Sequence, residues 1–214
     1  MQPLCRREAR KQDRRDAIIA VAEQSFMENG YAATSMSAIA AAVGGSKATL
    51  WSYFPSKESL FEAVLESAIG NYRRELETTL APSDDLRTTL LGFCRRFMQK
   101  ICAPNSVQLH RLIAGEAERF PEVGQIFYRR GPRQTQEILA AFFADQMAKG
   151  RLRAESPLIA ARAITGLCVG WQQRVVWGLP RPSDEELNEE AAIAVDLFLR
   201  AFAPPSGDEP PVVG

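Results

Sequence analysis

The side chains of this sequence whose types and spacing could do chemistry lie together between positions 46 and 54. Ser46 can cap a helix by accepting from free backbone N–H groups, and Leu50 and Phe54, at i and i+4, turn one side of that helix inward. The other sides carry polar and aromatic residues, namely Lys47, Thr49, Trp51, Ser52 and Tyr53. Because such side chains can contact phosphates and base edges, the segment is typical of a helix that binds in the major groove of DNA.

Two neighbouring elements must position that helix. Ser35 can cap a preceding short helix, whose apolar face has the i, i+3, i+4, i+7 spacing of Met36, Ile39, Ala40 and Val43. Gly44 and Gly45 then break this helix where a positive φ is needed, and a longer helix begins at Lys57. Residues 35–54 therefore predict a helix-turn-helix motif. An ordinary αα-hairpin, whose turn often contains glycine too, is the alternative.

Positive charge is concentrated at the start of the chain. Residues 1–15 contain six basic and two acidic side chains, six minus two giving +4, whereas the whole chain balances 26 basic against 26 acidic residues. Such a cluster suits phosphates, because neutralising them releases counterions. The alternative is a solvated N-terminal tail. We expect residues 1–11 to form a basic, flexible arm.

Residues 12–72 closely resemble the N-terminal domain of the tetracycline-repressor (TetR) family. The matching elements are the Ala17-to-Asn29 helix, Gly30-Tyr31, Thr34-Ser35, Ile39-Ala40, Gly44, Ser46-Lys47, Thr49-Leu50, Tyr53-Phe54, Ser56-Lys57-Glu58 and Leu60-Phe61. Two positions depart from the family pattern, because Gly45 replaces a residue that is usually apolar and Trp51 replaces the usual tyrosine. The resemblance implies a three-helix DNA-binding domain over residues 12–72, with its helix-turn-helix motif at 35–54.

The same resemblance implies a role for each residue of the motif. The residues that would hold phosphates and set the register on the duplex are Ser35, Ser37, Tyr53 and Lys57. The residues of the helix that would face the groove are Lys47, Ala48, Thr49, Trp51 and Ser52, and Ser46, which can cap this helix, completes the DNA-binding set. Of these, Lys47 and Thr49 would touch base edges or methyl groups. The alternatives are that Trp51 and Tyr53 mainly pack, and that Lys47 and Lys57 are merely solvated.

Length and composition are those of an ordinary globular protein. The chain has 214 residues, 46% of them hydrophobic and 24% charged, without the run of roughly 18 apolar residues that a membrane helix needs. No apolar segment follows the charged start, so we expect no secretory signal and a cytoplasmic protein. The four cysteines lack metal-type spacing, which predicts reduced thiols, with a redox switch as the alternative. His110 is the single histidine, so we expect no multi-histidine metal site. We also expect no cofactor.

The rest of the chain is helical in pattern. After Lys57 the apolar spacing follows the helical period, and nothing alternates like a strand. Long helices are predicted from Lys57 to Leu80 and at about 86–101, 157–178 and 183–202. Nine or so helices in all predict an all-α fold. We expect a C-terminal domain over residues 73–203 and a disordered tail, rich in proline and glycine, over 204–214.

The last two helices carry more apolar surface than one neighbouring core usually needs. The final helix has an apolar stripe, widened by Ile193 and Leu197, that consists of Leu187, Ala191, Ala194 and Phe198. Gly166 and Gly170 allow a close backbone approach in the penultimate helix. This pattern favours a homodimer, which would place two recognition helices about one DNA turn apart. In the resembled family these helices pair as a four-helix bundle; a well-buried helix within one chain is the alternative.

Residues 109–143, together with 151–153, resemble the AefR-like subset of TetR-type regulators. The resemblance implies a pocket for a small hydrophobic or amphipathic molecule inside the C-terminal bundle. The candidate lining residues are Phe93, Phe97, His110, Ile113, Glu116, Phe127, Phe142 and Trp171. For the apolar residues of this set, packing in the core is the alternative. Glu116 shares a stripe with apolar residues, so its carboxylate needs a ligand or an arginine partner, and we expect Arg95 or Arg96.

Together these patterns predict a dimeric, sequence-specific DNA-binding regulator, namely a repressor that an inducer releases from a palindromic operator. The helix from Lys57 to Leu80 would act as a lever, and a coupling free energy of about 1–3 kcal/mol would change occupancy several-fold to a hundredfold. An enzyme is not indicated, since the sequence contains no GxSxG, HExxH or phosphate-binding glycine loop. The alternative is a helix-turn-helix regulator controlled by a protein partner or by no small molecule.

Overall fold

Eleven α-helices make up the part of the protein that the structure, a computed structural model, describes, namely residues 3–80 and 85–204. They are α1 (Pro3–Ala33), α2 (Met36–Ala42), α3 (Lys47–Tyr53), α4 (Lys57–Thr79), α5 (Leu86–Ile101), α6 (Pro104–Glu116), α7 (Pro121–Arg130), α8 (Pro132–Ala148), α9 (Pro157–Cys168), α10 (Gly170–Val176) and α11 (Asp184–Phe202). The predicted all-α class is confirmed, and within these ranges α4, α5 and α11 lie where the apolar periodicity places them.

The helix count exceeds the nine or so expected from spacing. The single helix expected at 157–178 is two, because α9 gives way to α10 at Val169, whose N–H bonds to the Gly166 carbonyl three residues back. Gly166 and Gly170 flank this point, and glycine is a poor helix former. A further helix, α7, begins with Pro121 in its first turn, where the missing N–H of proline costs no helical hydrogen bond.

The first helix begins earlier than expected. Residues 3–11, expected as a flexible arm, form the first turns of α1, because Arg, Lys, Glu and Gln favour helix and no glycine or proline occurs between residues 4 and 29. Gly30 then breaks the helix with φ 81° and ψ 170°, a backbone conformation that is open almost only to glycine. The expected arm is therefore helical from Pro3 onward.

The chain divides into two compact units, and the first consists of Met1–Asn71 and Gln108–Pro132. Its core is built around Phe26, Tyr31 and Phe61, whose ring centroids lie 5.2–5.7 Å apart. The helices α6 and α7 add further buried side chains to this core, namely Leu109, Ile113, Val123 and Ile126. The boundary predicted from the sequence, at 72/73, assigns these helices to the C-terminal domain, whereas in the structure they pack with α1–α4. Periodicity shows that a helix face is apolar, but it does not show against which core that face packs.

The second unit consists of Tyr72–Val107 and Arg133–Gly214. Its core joins α5, α8, α9 and α11 through fully buried side chains, including Leu90, Phe93, Leu139, Phe143, Ile164 and Phe198. The disordered tail predicted at 204–214 lies outside the described residues beyond Pro204. Among the described helices, none combines the length and the apolar character needed to cross a lipid bilayer.

Candidate nucleic-acid interface

Two serines begin the helices of the motif. Ser35 Oγ accepts from the Ala38 N–H at 3.1 Å at the start of α2, and Ser46 Oγ accepts from the Thr49 N–H at 3.0 Å at the start of α3. Both serines have the extended backbone conformation of N-cap residues, and each satisfies an N–H that the first helical turn leaves free. The two predicted caps are therefore confirmed. Ser35, Ser37 and Ser46 are all exposed.

A left-handed glycine separates the two helices. Gly44 has φ 70° and its N–H donates to the Ala41 carbonyl at 3.0 Å, while the Gly45 N–H donates to the Ala40 carbonyl at 3.0 Å. These bonds satisfy carbonyls at the end of α2 that would otherwise lack partners. The positive φ expected for the glycine pair is found at Gly44, which turns the chain from α2 into α3.

One side of α3 is buried and the other faces solvent. Leu50 and Phe54 are only 2% and 3% exposed and belong to the core of the first unit. Trp51 is 41% exposed, so a packing role accounts for only part of its surface. The exposed residues of the helix, which we call the α3 face, are Lys47, Ala48, Thr49, Trp51 and Ser52. The structure thus brings together on one surface the residues that the sequence predicts to enter a groove.

The residues after the α3 face are held more firmly. Tyr53 is half-buried against the core of the first unit. Lys57 Nζ lies 4.3 Å from the centre of the Tyr31 ring and donates to the Ala32 carbonyl at 3.3 Å. Burial lowers the pKa of Lys57 below its ordinary value, and the nearby carboxylate of Glu116 opposes this shift. Lys57 therefore supports the Tyr31–Ala32 backbone and is not merely solvated.

Two arginines of α1, absent from the predicted site, lie against the motif. A Cβ atom on Gly45 would lie 2.7 Å from Nη2 of Arg14, so this guanidinium fills the space beside the glycine. The Arg15 guanidinium lies 5.3 Å from the centre of the Phe54 ring, within the range of a cation–π contact. The signal in the sequence is the missing side chain at Gly45, where the resembled family has an apolar residue.

The charge of the motif has one sign. None of the 26 acidic residues of the chain lies between Gly30 and Lys57, whereas Lys47 lies within this stretch and Lys57 ends it. Arg14 and Arg15 add two guanidinium groups beside it. A polyanion that approaches the α3 face therefore meets hydrogen-bond donors and positive charge, with no opposing carboxylate from this stretch.

Glu116 contacts the backbone at the end of α1. Its Oε1 accepts from the Ala32 N–H at 3.0 Å, and a Cβ atom on Gly30 would lie 2.8 Å from the same oxygen. Arg96 donates to a threonine hydroxyl of α4. The expected pairing of Glu116 with Arg95 or Arg96 is therefore wrong, because packing of α6 into the first unit gives this carboxylate a backbone N–H as its partner.

The predicted pocket residues are divided between the two compact units. Those in the first unit are His110, Ile113, Glu116 and Phe127, and those in the second are Phe93, Phe97, Phe142 and Trp171. The His110 and Phe127 rings meet edge to face with centroids 5.5 Å apart, and burial lowers the pKa of His110 below its ordinary value. Phe93 stacks on Phe97 at 5.4 Å and is 1% exposed. Phe93 and Ile113 are thus core residues of their own units.

A cavity of about 260 Å³ lies in the second unit. Phe142 is the member of the predicted set that lines it, and its other lining residues are Glu77, Leu80, Ile138, Asp145 and Gln146. Pockets that enclose drug-sized ligands usually measure about 300–1,000 Å³. The volume of this cavity is therefore below the usual range for such a ligand.

Large apolar side chains are exposed on α9 and α11. Leu197, 48% exposed, lines a groove together with Gly166 and Leu167, and Ile193, 53% exposed, lies one turn earlier on α11. The exposed set, which we call the α9–α11 face, is Ile159, Leu167, Ile193 and Leu197. The apolar stripe of α11 lies instead in the core of its own unit, through Leu187, Ala191, Ala194 and Phe198. Ile193 and Leu197, the two residues expected to widen the stripe, are thus exposed to solvent.

An all-α chain with an exposed recognition helix after a left-handed glycine turn, in a stretch free of carboxylates, defines a DNA-binding transcriptional regulator of the helix-turn-helix class. The family "Bacterial regulatory proteins, tetR family" matches residues 18–64, and "AefR-like transcriptional repressor, C-terminal domain" matches residues 88–204. The chain belongs to the TetR family of transcriptional regulators, with a C-terminal domain of the AefR-like type.

Similar proteins include transcriptional regulators and a nucleoid occlusion factor. The crystal structure of a TetR-family regulator from Mesorhizobium loti MAFF303099 is 27% identical, with a TM-score of 0.80 over 91% of this chain and 98% of that one. The flavonoid-responsive regulator FrrA is 34% identical, with a TM-score of 0.79 over 91% of this chain and 100% of its own. The nucleoid occlusion factor SlmA of Pasteurella multocida (strain Pm70) is 27% identical over 84% of this chain and 90% of its own. Three curated HTH-type regulators are matched over only 37%, 31% and 40% of their length.

Proposed function

We propose that this protein is a homodimeric, sequence-specific repressor that a small hydrophobic or amphipathic molecule releases from a palindromic operator in the bacterial cytoplasm. The α3 face carries the proposal, because Leu50 and Phe54 anchor α3 in the core while its opposite side presents polar groups to solvent. In this proposal Lys47 and Thr49 contact base edges or thymine methyl groups. The other residues that would lie in the DNA groove, beside Lys47 and Thr49, are Ser46, Ala48, Trp51 and Ser52.

Residues on either side of the α3 face would hold the phosphate backbone. Ser35 and Ser37 are exposed at the start of α2, and Tyr53, which follows the α3 face, is partly exposed. Lys57, supported by the Tyr31 ring, supplies an ammonium group in a fixed position. Phosphate contacts carry no sequence information, so in this proposal they set the register while the α3 face sets the preference for bases.

The α9–α11 face supplies the surface for a second copy of the chain. Contiguous apolar side chains exposed on a folded protein are typical of an interface, and a two-fold contact uses the same patch on both subunits. Ile193 and Leu197 are its two members on α11. A two-fold dimer would present two α3 faces about 34–36 Å apart, which matches the spacing of half-sites in a palindromic operator.

One similarity supports a repressor, and a second supports an aromatic, amphipathic effector. The C-terminal match is to an AefR-like transcriptional repressor domain, and FrrA, 34% identical, is a flavonoid-responsive regulator. An effector can release DNA only if it binds the two conformations with different affinities, and a coupling of about 1–3 kcal/mol changes operator affinity roughly 5- to 150-fold. We assign the transmission to α4, because its residues belong to both compact units and it begins at Lys57, next to the phosphate contacts.

A regulator controlled by a protein partner, or by no small molecule, is the second candidate. Two observations favour it. The cavity lined by Phe142 is small, and the predicted pocket residues Phe93 and Ile113 are buried in core packing. In addition, SlmA of Pasteurella multocida, 27% identical to this chain, is a nucleoid occlusion factor by name. Under this alternative, small molecules leave operator binding unchanged.

Fluorescence anisotropy on duplex DNA separates the two candidates. The probe is the duplex that the full-length protein selects from random sequences, and a scrambled duplex of the same composition is the control. We expect at least one compound in a panel of flavonoids and related aromatic amphiphiles to raise the apparent Kd about fivefold or more, and the same compound to raise Tm. A compound that raises Tm but leaves the Kd unchanged would contradict induction, and a panel without any effect would favour the second candidate.

A matched pair of variants makes this test specific to the cavity. Phe142→Ala removes a lining side chain and should weaken the effect of the compound on DNA binding. Tyr128→Ala removes an aromatic side chain that is 48% exposed and should leave the effect unchanged. An equal response of the two variants would place the effector elsewhere.

A further inference from the structure

Four basic side chains lie on one face of α1, ahead of the part of the helix that joins the core. Arg7, Arg10, Lys11 and Arg14 have the spacing i, i+3, i+4, i+7, which at about 100° per residue places them within roughly a third of the helix circumference. Arg7, Arg10 and Lys11 are exposed, and Arg14 is partly exposed. We call these four residues the α1 basic face.

The α1 basic face continues the core-facing stripe of the same helix. After Lys11 and Arg14 come Ile18 and Ala22 at spacings of three or four residues, and these two are 2% and 0% exposed. Ile18 and Ala22 pack in the core cluster that also contains residues of α2 and α3. The basic face therefore points toward the side on which the helix-turn-helix lies, and Arg14, beside Gly45, already touches the turn before α3.

Two carboxylates of this part of α1 flank the basic face, and a third lies opposite it. Glu8 and Asp13 lie about 60° around the helix axis from Lys11 and Arg10, whereas Asp16 lies about 180° from Arg7. On that opposite side Asp16 accepts from Gln12 Nε2 at 2.7 Å. With four cations and two flanking carboxylates, the basic face keeps a net positive charge, and it adjoins a motif without acidic residues.

We infer that the α1 basic face binds the phosphate backbone of duplex DNA beside the half-site that the α3 face contacts, an inference that rests on the proposed function. From Arg7 to Arg14 the helix rises about 10 Å, and a duplex of that length carries about six phosphates, enough for four cations. The contact is sequence-independent, so it lengthens the footprint and strengthens binding to operator and neighbouring DNA alike. Arg15 is not part of it, because its guanidinium lies over the Phe54 ring.

Salt titrations of two triple variants of the full-length protein test the inference. R7Q/R10Q/K11Q removes three charges of the basic face and leaves Arg14 in place beside Gly45. The control, R95Q/K149Q/R181Q, removes the same number of arginines and lysines from exposed positions of the second unit. Glutamine has nearly the helix propensity of arginine and lysine, so α1 should remain helical, which circular dichroism checks. The probes are the selected duplex with two helical turns of flanking DNA and a scrambled duplex of the same length.

The expected result is a change in salt dependence. The slope of log affinity against log salt should fall by about 2.7 for R7Q/R10Q/K11Q with one protomer in contact, or by about 5.4 with both protomers of a dimer. With the smaller value, the ratio of the wild-type affinity to that of R7Q/R10Q/K11Q falls about 40-fold between 50 and 200 mM salt. The change should be the same on selected and scrambled duplexes, and the control variant should keep the wild-type slope.

Three results would overturn the inference. One is an unchanged slope for R7Q/R10Q/K11Q in a protein that still prefers the selected duplex. Another is an equal loss of slope in the control variant, which would show a general charge effect. The third is wild-type binding to phosphatidylcholine–phosphatidylserine vesicles that exceeds binding to the scrambled duplex and depends on the same three residues. A wild-type protein without any preference for the selected duplex would instead refute the proposed function.

Discussion

Replacing Gly30 by alanine should destabilise the first unit in two separable ways. Gly30 has φ 81° and ψ 170°, so an alanine there carries backbone strain of about 1–3 kcal/mol. Its Cβ would also lie 2.8 Å from Oε1 of Glu116, the oxygen that accepts from the Ala32 N–H at 3.0 Å. The Glu116 carboxylate must therefore move, and the loss of its hydrogen bond adds about 1 kcal/mol. We expect Gly30→Ala to lower the free energy of unfolding by about 2–4 kcal/mol.

A double-mutant cycle separates the two contributions. Glu116→Ala alone should cost about 1 kcal/mol, because the Ala32 N–H loses its acceptor. Gly30→Ala already removes that hydrogen bond, so the double variant should lose about as much unfolding free energy as Gly30→Ala alone. Its loss should therefore be about 1 kcal/mol smaller than the sum of the losses of the two single variants. Gly44→Ala is the matched control, since Gly44 has φ 70° but open space around its Cβ position, and it should cost about 1–2 kcal/mol.

Urea unfolding followed by far-ultraviolet circular dichroism measures all four variants at one protomer concentration, because assembly would otherwise change the apparent stability. The reasoning would be refuted if Gly30→Ala were no more destabilising than Gly44→Ala, or if the two changes in the cycle were additive. Either result would mean that Glu116 does not bear on the backbone at the end of α1.

Three further predictions concern the base contact, the histidine and the dimer. Thr49→Ala should relax base preference by about 1 kcal/mol, roughly fivefold, in repeated selection from random DNA, whereas Thr78→Ala on α4 should not; equal preferences in the two variants would exclude Thr49 as a base contact. Burial holds the pKa of His110 below its ordinary value of 6.5, so the unfolded chain takes up the proton first and stability falls as the pH drops below that value. NMR of this single histidine should give a pKa under 6.5 and His110→Gln should flatten the pH dependence, while a pKa at or above 6.5 would contradict the burial argument. Leu197→Glu should yield a monomer in light scattering, whereas Leu179→Glu, at a position 42% exposed and outside the α9–α11 face, should leave the dimer; a dimer in both variants would move the interface elsewhere.

Local structure was accessible from the sequence because its causes are local. The caps at Ser35 and Ser46 and the left-handed Gly44 each depend on residues within four positions of one another. The inward side of α3 likewise follows from the i, i+4 spacing of Leu50 and Phe54. These features suffice to predict which surface of α3 is exposed.

Contacts between distant segments were not accessible in the same way. Glu116 and Ala32 are 84 positions apart, so no spacing rule connects them, and the sequence favours an arginine as the partner of a carboxylate on an apolar stripe. The packing of α6 and α7 into the first unit has the same origin. The sequence places Arg14 only in the basic cluster of residues 1–15, because its position beside Gly45 depends on how α1 crosses the turn.

The pocket shows the limit of periodicity most clearly. Aromatic residues at helical spacing face inward, but the spacing does not distinguish a packed core from the wall of a cavity. Phe93 and Phe142 have the same pattern in the sequence, yet Phe93 is 1% exposed within the core and Phe142 lines a cavity. The difference depends on the shapes of neighbouring helices, which a single helix does not encode.

The most direct test of the account is the selection of bound sequences from random duplex DNA by the full-length protein at modest ionic strength. Two α3 faces presented by a two-fold dimer should enrich an inverted repeat whose half-site centres lie about 10–10.5 base pairs apart, or a multiple of that distance. A K47A/T49A variant should lose this enrichment while it retains salt-dependent binding to scrambled DNA. A protein that enriches no sequence, or a variant that enriches the same repeat as the wild type, would contradict the assignment of α3 as the recognition helix.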